Sequence, residues 1–358
     1  VKFGTVALAE ALGGVLAHSV KLPGGALKKG AVLGPAELKR LEAADVAQVT
    51  VARLGADDVT EDVAAARVTA ALAGAGVDVG AATTGRVNLY ARQAGLLRLD
   101  ALRIHAANRV HEGLTIATLL PDTPVEDGQM LATVKIIPYA VPAAALDEVV
   151  AALGATAPLR VAPWAGIRAG LLLTRLPETP EATLAKMRGA VMGRLGPLGG
   201  LLVAEETVAH EEGAVAAALV AMLAKPERPQ LLLVSGIAAT VDRGDVVPAA
   251  VLATGGRVVH AGMPVDPGNL LLLGEVADGG GSCPVIGIPT CARSPKLNGF
   301  DFVLRRYAAG ERVTREDIMA MGVGGLLTEI ETRPMPRDTR RHFTRHRITS
   351  RGQEPPAS

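Results

Sequence analysis

Between residues 231 and 302 the chain repeats one arrangement three times: a short apolar run (231–234, 258–260, 285–288) opens into a polar turn carrying glycine or proline. Runs this short and this apolar suit strands covered on both faces, the pattern of a parallel sheet sandwiched by helices. In such a sheet, right-handed crossovers bring the strand-following turns to one edge. That edge is where open α/β sheets bind ligands. The three turns, SGIAATVDRGD (235–245), HAGMPVDPGN (260–269) and IGIPTCARSP (286–295), are therefore expected to form one crevice.

The rest of the chain bounds what surrounds that crevice. At 358 residues it exceeds what a single core usually serves. Residues 152–166 carry two prolines and two glycines without a sustained period, which places a boundary there. The expectation is a smaller α+β domain over 1–155, a three-layer, mostly parallel α/β domain over 165–332, and a basic disordered tail over 333–358. In the first domain Pro35 opens a helix to about residue 44, and residues 48–53 alternate as a strand does. Thr60 is placed to cap a helix whose Ala64, Val68, Ala71 and Leu72 share a face. In the second domain strands are expected at 167–174 and 201–203, with helices at 181–195, 211–223, 247–254 and 301–307. No internal repeat is evident.

Composition narrows the partners. Charge is almost balanced, 37 basic against 36 acidic residues, and aromatic residues are 2%. Neither a steering field nor a stacking platform for nucleic acid follows from this. Although 49% of residues are hydrophobic, glycine, proline or charge breaks each apolar stretch before about 18 residues, so no membrane span is expected. The N-terminal VKFGTVALAEALGGVLAHS has the outline of a secretory signal, but Glu10, Gly13 and Gly14 interrupt its apolar part. Two cysteines, Cys283 and Cys291, are too few for a disulfide scaffold. The expectation is a cytoplasmic protein.

Candidate site residues lie in the turns. Ser235 and Gly236 end an apolar run and allow backbone N–H groups to approach an anion. Asp242 and Asp245, three apart before a helix, suit a hydrated Mg²⁺, which takes a few carboxylates and keeps its waters. Spacing alone favours the simpler reading, in which Asp245 caps the helix and Asp242 is solvated. Arg293, Ser294, Lys296 and Asn298 stand before another helix, a natural phosphate site. Cys291 has no nearby histidine in sequence to activate it. His342 and His346 share helical spacing in the tail but have no carboxylate or cysteine beside them.

The order of these turns resembles the molybdopterin-binding domain of molybdopterin molybdotransferases, gephyrin and the molybdopterin adenylyltransferases. Upstream, LKKGAVLGPAELKRLEAADVAQVTV is similar to the stretch by which molybdotransferases enter their small β domain. HSVKLPGGALKKG, TGRVNLYA, ATVKIIPYAV and CARSPKLNGFDFVL look like strings of a bacterial subgroup in which this two-domain unit precedes a cytidylyltransferase-like domain. The resemblance implies binding of molybdopterin or a nucleotide form of the molybdenum cofactor, with Mg²⁺ as companion. It adds Pro267, Gly268, Asn269 and Pro289 to the ligand-binding set. A cytidylyltransferase, a molybdoenzyme maturation partner and a second copy of the chain are the partners it implies.

Departures from the family pattern bear on activity. The family's Thr-Gly-Asp-Glu turn reads Thr174-Arg175-Leu176-Pro177-Glu178, its paired glycines read Gly236-Ile237, and two lysines become Asp266 and Asn269. Each lost charge-assisted contact is worth roughly 1.5 to 3 kcal/mol. Arg175, Arg293 and Lys296 are the candidates to replace them. Three readings stand: a cofactor-binding module, a Mg²⁺-dependent molybdate-inserting enzyme, and a regulatory domain for another phosphorylated ligand.

Overall fold

Pro35 fixes the first helical turn where its missing N–H costs nothing, and the Gly34 amide before it donates to the Glu37 carboxylate at 3.1 Å. This starts α1 (Pro35–Glu42), which buries Leu41 against a small β unit. That unit is a three-stranded sheet of β1 (Lys2–Ala7), β5 (Gln48–Arg53) and β2 (Val15–Leu16), with a hairpin of β3 (Val20–Leu22) and β4 (Gly25–Leu27). Val49 and Val51 of β5 face its core beside Leu16 and Leu33. The structure is a computed structural model and describes residues 1–327; the basic tail, with His342 and His346, lies outside the described residues. The chain divides into two compact units, Val1–Trp164 and Ala165 onward.

The remainder of the first unit has its own core. β6 (Asp58–Thr60) and β13 (Ala140–Pro142) pair antiparallel, and each runs straight into a helix, α2 (Glu61–Leu72) and α4 (Ala143–Leu153). Arg67 of α2 and Asp147 of α4 form an ion pair at 2.6 Å. Each helix returns to a strand, β7 (Val77–Val79) and β14 (Leu159–Pro163), so a strand–helix–strand pattern occurs twice. Mostly alanine and leucine are shared between the two stretches, which is why no repeat shows in the sequence. Thr60 is at the start of α2 without making a side-chain cap; the acidic Glu61 and Asp62 serve that end. β8 (Arg86–Ala91), β9 (Gly95–Leu99), α3 (Ala101–Val110), β10 (Leu114–Thr118), β11 (Pro124–Val125) and β12 (Met130–Ile136) complete two sheets, β10-β12-β8-β7 and β11-β9-β14.

The second unit is the expected α/β sandwich. β15 (Arg168–Arg175), β16 (Leu201–Ala209), β17 (Leu231–Ser235), β18 (Arg257–Ala261), β19 (Leu272–Asp278) and β20 (Gly281–Gly287) form one sheet in the order β16-β15-β17-β20-β19-β18. β16, β15, β17 and β20 are parallel, while β19 runs against both its neighbours. Two features escaped the sequence reading. β16 continues six residues past 203, because Glu205 and Glu206 obscure it; they pair with Arg188 and Lys225 at 2.8 Å each. β19 was hidden behind a proline-rich turn, and Gly279 and Gly280, both at positive φ, fold it back onto β20.

Side chains alternate across this sheet. Leu232 and Val234 of β17 join Leu172, Leu272 and Val285 under α6 (Glu212–Leu223) and α7 (Val246–Ala253). Leu231 and Leu233 face the other way. On that side α5 (Glu181–Leu195) buries Leu184, Met187 and Val191, and α8 (Gly299–Ala308) buries Phe300, Val303 and Leu304. A short α9 (Arg315–Ala320) follows. Every residue of β17 is buried, so the central strand anchors both layers. Leu233→Ala should cost about 2 to 5 kcal/mol of unfolding free energy in chemical denaturation. Glu205→Ala, at the surface pair, should cost less than about 1 kcal/mol.

Candidate functional site: the carboxyl edge of the sheet

The strand register brings the three turns together at one edge of the second unit. Leu173 of β15 aligns with Ser235 of β17, Val234 with Gly287 of β20, and Gly287 with Leu272 of β19, whose neighbour across β18 is Ala261. The turns after β17, β18 and β20 therefore share an edge, as strand-following turns in a parallel sheet must. A cleft of about 210 Å³ opens there between Thr240–Arg243 and the Ala261, Gly262 and Leu270–Leu272 backbone.

Arg293 is the most informative side chain of this edge. Its Nη2 donates to the carbonyls of Gly236 and Ile237 at 2.9 and 2.8 Å, tying the β20 turn to the β17 turn. Its Nε–H is buried and has no acceptor. Burial alone pulls its pKa below the usual guanidinium range, with no carboxylate acting against that shift. A desolvated cation with an unused donor and no counter-charge is unfavourable unless an anion arrives.

The turn that carries Arg293 is built by a residue the sequence reading missed. Arg194, at the end of α5, reaches Asp301 through Nε at 2.8 Å. Its other four hydrogens go to the carbonyls of Ala190, Ala292, Ser294 and Lys296 at 2.8 to 3.0 Å. All five guanidinium donors are used, and the pair is only 8% and 11% exposed. Within this frame Asn298 caps α8, accepting from the Phe300 amide at 3.1 Å and donating to Cys291 Sγ at 3.2 Å. Being 1% exposed, Asn298 is a cap and not a ligand contact, a correction to its expected role. Ser294 Oγ accepts the Lys296 amide at 3.3 Å, and Lys296 is exposed. Pro289, buried, starts the 3-10 turn that includes Cys291. Nothing in the sequence marks Arg194, since its acidic partner lies 107 residues away.

The paired aspartates brace their own loop. Asp245 Oδ2 accepts the amides of Val241 and Asp242 at 2.6 and 2.9 Å, and Asp242 Oδ1 accepts the Gly244 amide at 2.7 Å. Asp245 occupies the N-cap of α7, yet its side chain makes no cap bond. The side-chain cap reading gives way to turn-stabilising acceptors, and Asp242 Oδ2 and Asp245 Oδ1 take no part in these three bonds. Among the described residues no group of three or more His, Cys, Asp or Glu side chains is arranged to hold a metal. The backbone amides of Asp242 and Val241 hold Asp245 below the usual aspartate range.

The remaining expected residues are partly structural. Gly268, at φ +140, sits where a Cβ would meet the Gly299 amide nitrogen at 2.7 Å, and Gly299 N–H donates to Pro267 O at 2.9 Å. The Pro267-Gly268 turn is therefore pressed against the start of α8. Asn269 is exposed and donates to Met263 O at 3.3 Å, while Asp266 pairs through its backbone with Gly325 and Leu327. Arg175 is occupied by Glu181 and the Thr179 carbonyl at 3.4 and 3.2 Å, so it does not replace a lost cation. Arg243, which lines the cleft, does bring one; no sequence motif pointed to it. Ser235 and Gly236 end β17 as expected, with Ser235 4% exposed. Two histidines also border the edge, His210 and His260, both held below the usual imidazole range chiefly by burial.

Other hollows of about 310 and 410 Å³ lie at the opposite edge of the same sheet, sharing Gln230, Ser282 and Pro284. There Arg228 pairs with Asp278, and Arg312 with Glu275 at 3.4 Å. These exposed arginines already have carboxylates, whereas Arg293 has none.

No family model matches the chain, and no curated protein matches it. Among solved structures it is similar to two molybdopterin biosynthesis MoeA proteins of Pyrococcus horikoshii. For these the identities are 11% and 9% and the TM-scores 0.28 and 0.24, covering 86% and 87% of this chain and 76% of each relative. It is also similar to a molybdenum cofactor biosynthesis protein from Pyrococcus furiosus at 12% identity and TM-score 0.24, covering 87% of this chain and 65% of that one. Likeness at this level assigns neither family nor ligand. Among the described residues no helix is long and apolar enough to cross a membrane.

Arg194→Met should cost about 3 to 5 kcal/mol, because it strands Asp301 and three turn carbonyls; chemical denaturation measures this, and Arg194→Lys should recover little of it. Asp245 contributes stability above the ordinary aspartate pKa and loses it as pH falls through its depressed value. Amide exchange at Val241 and Asp242, normalised to intrinsic rates, should therefore stay slow at neutral pH and accelerate only in acid. In Asp245→Ala, which removes the acceptor oxygen, it should be fast throughout.

Proposed function

We propose that the second unit binds molybdopterin, or a nucleotide form of the molybdenum cofactor, by its phosphate at the carboxyl edge of the sheet, during cofactor biosynthesis. The observation that carries this reading is Arg293: desolvated, without a carboxylate, with a buried Nε–H that lacks an acceptor. A phosphate oxygen supplies both the charge and the acceptor. The order and identity of the three turns, which resemble the molybdopterin-binding domain, select a pterin phosphate among phosphate ligands. The cleft beside Arg243, lined by Val241 and Leu270–Leu272, offers an apolar wall for the remainder of such a ligand.

Binding is favoured over molybdate insertion for a specific reason. Insertion would call for a metal between Asp242 and Asp245, and one oxygen of each is already engaged by loop amides. The protein therefore acts as a holder of the cofactor between steps carried out elsewhere. A cytoplasmic setting and a maturation partner that collects the ligand belong to the same proposal.

The test is anaerobic retention of molybdopterin by the purified chain, with and without molybdate and Mg²⁺. Retention without turnover is expected. Arg293→Met should weaken retention by between about ten- and a hundred-fold, since a charge-assisted hydrogen bond contributes roughly 1.5 to 3 kcal/mol. Unchanged retention in a folded Arg293→Met protein would refute the reading, and molybdate-dependent turnover would show the chain to be an enzyme.

A further inference from the structure

His210 has no place in the account so far, yet its ring is among the most tightly specified groups of the edge. It follows β16, and its backbone N–H donates to Arg175 O at 2.9 Å. Its Nδ1 lies 2.8 Å from Thr174 Oγ1, and that same oxygen accepts the Ile237 amide at 2.9 Å. Thr174 is 0% exposed, so its hydroxyl cannot turn to water. With the Ile237 N–H pointing at the oxygen, the single hydroxyl hydrogen is free to donate to Nδ1. An imidazole that accepts at Nδ1 carries its proton on Nε2.

The alternative protonation state is disfavoured by the same geometry. A charged ring would donate from Nδ1 to Thr174 Oγ1 and leave the buried hydroxyl hydrogen without that acceptor. Burial also favours the neutral ring, against the opposing pull of the Asp245 carboxylate. The ring is held at the turn that Arg293 grips: its Cε1 is 3.8 Å from where a Cβ on Gly236 would lie, and Gly236 O is the carbonyl Arg293 holds. Arg293, in the turn after β20, and the His210 ring, after β16, thus both lie at Gly236, one a desolvated cation and the other an imidazole whose Nδ1 faces a buried hydroxyl.

We propose that His210 is a second ligand-contacting residue of the crevice, donating its Nε2–H to the oxyanion that Arg293 faces, with Thr174 as the residue that positions it. The proposal rests on the anion-binding reading above and adds to it the character of the site. One cation and one neutral donor suit a phosphate or pyrophosphate oxygen on an ester, where a second full charge is not needed. It also gives a role to the buried Thr174, which begins the turn where the family's carboxylate is missing.

The experiment uses the full chain and inorganic pyrophosphate as probe, with affinity from calorimetry and tautomer state from ¹⁵N NMR of the histidine rings. His210→Asn keeps an acceptor near the Nδ1 position for Thr174 but removes the outer donor; it should weaken pyrophosphate by about tenfold. His210→Gln places an amide N–H near the Nε2 position and should recover most of that loss. In the wild type the His210 ring should show the Nε2–H signature, and in Thr174→Val that signature should be lost while the melting curve confirms a folded protein. Wild-type affinity in His210→Asn, or an Nδ1–H tautomer in the wild type, overturns the proposal while Arg293→Met still loses binding. If the wild type does not bind pyrophosphate, or Arg293→Met binds it equally well, the anion reading falls, and this proposal with it.

Discussion

One buried guanidinium organises the edge on which the rest of this unit's chemistry depends. Arg194 spends all five donors within a space reached by α5, α8 and the turn after β20. A turn that exposes successive carbonyls to the protein interior would be costly without such a partner. By collecting the carbonyls of Ala292, Ser294 and Lys296, Arg194 fixes the path of the turn that carries Arg293. Asp301 balances its charge, and Asn298 closes the start of α8 beside it. Arg293 can then lean across to β17 and hold Gly236 and Ile237. The two arginines, ninety-nine residues apart from each other's roles in sequence terms, differ in one respect that separates structure from function. Arg194 has a carboxylate and Arg293 has none.

Electrostatics along the edge follow from that difference. The Asp242 and Asp245 carboxylates face loop amides and make the β17 turn rigid, so they do not neutralise Arg293. Burial lowers the pKa of His210 against the pull of Asp245, and its Nδ1 faces the Thr174 hydroxyl. Arg243 stands at the cleft with apolar neighbours. On the proposed reading, Arg293 without a carboxylate, set in a fixed backbone, is what an anion completes. Preorganised donors of this kind lower the cost of binding because little has to be reordered when the ligand enters.

Much of the second unit was legible in the sequence because apolar runs of four or five residues report burial on both faces. Residues 181–195 were read as a helix and form one, and β17 extends its expected range by a single residue, Ser235. Where polarity and geometry diverge the reading fell short: Glu205 and Glu206 sit in an edge strand whose charges are paired on its two sides, and β19 is a strand entered from an irregular turn. Of the site, the turns themselves were visible, since glycine, proline and charge mark them. What each side chain does was not. Asp245 and Asn298 looked like ligand contacts because their residue types suit both ligands and turns, and only hydrogen-bond partners distinguish the two. Arg194 and the Thr174–His210 pair depend on contacts over 107 and 36 residues, a separation at which a single sequence has no periodic signal.

On the proposed reading an anion completes Arg293, and a crystal structure of the full chain with molybdopterin distinguishes the two edges of the sheet, which offer different hollows. A phosphate oxygen is expected within hydrogen-bond distance of Arg293 Nε at the carboxyl edge. A ligand seated instead among Arg168, Arg228 and Arg312 at the opposite edge, with Arg293 Nε still lacking an acceptor, would contradict it.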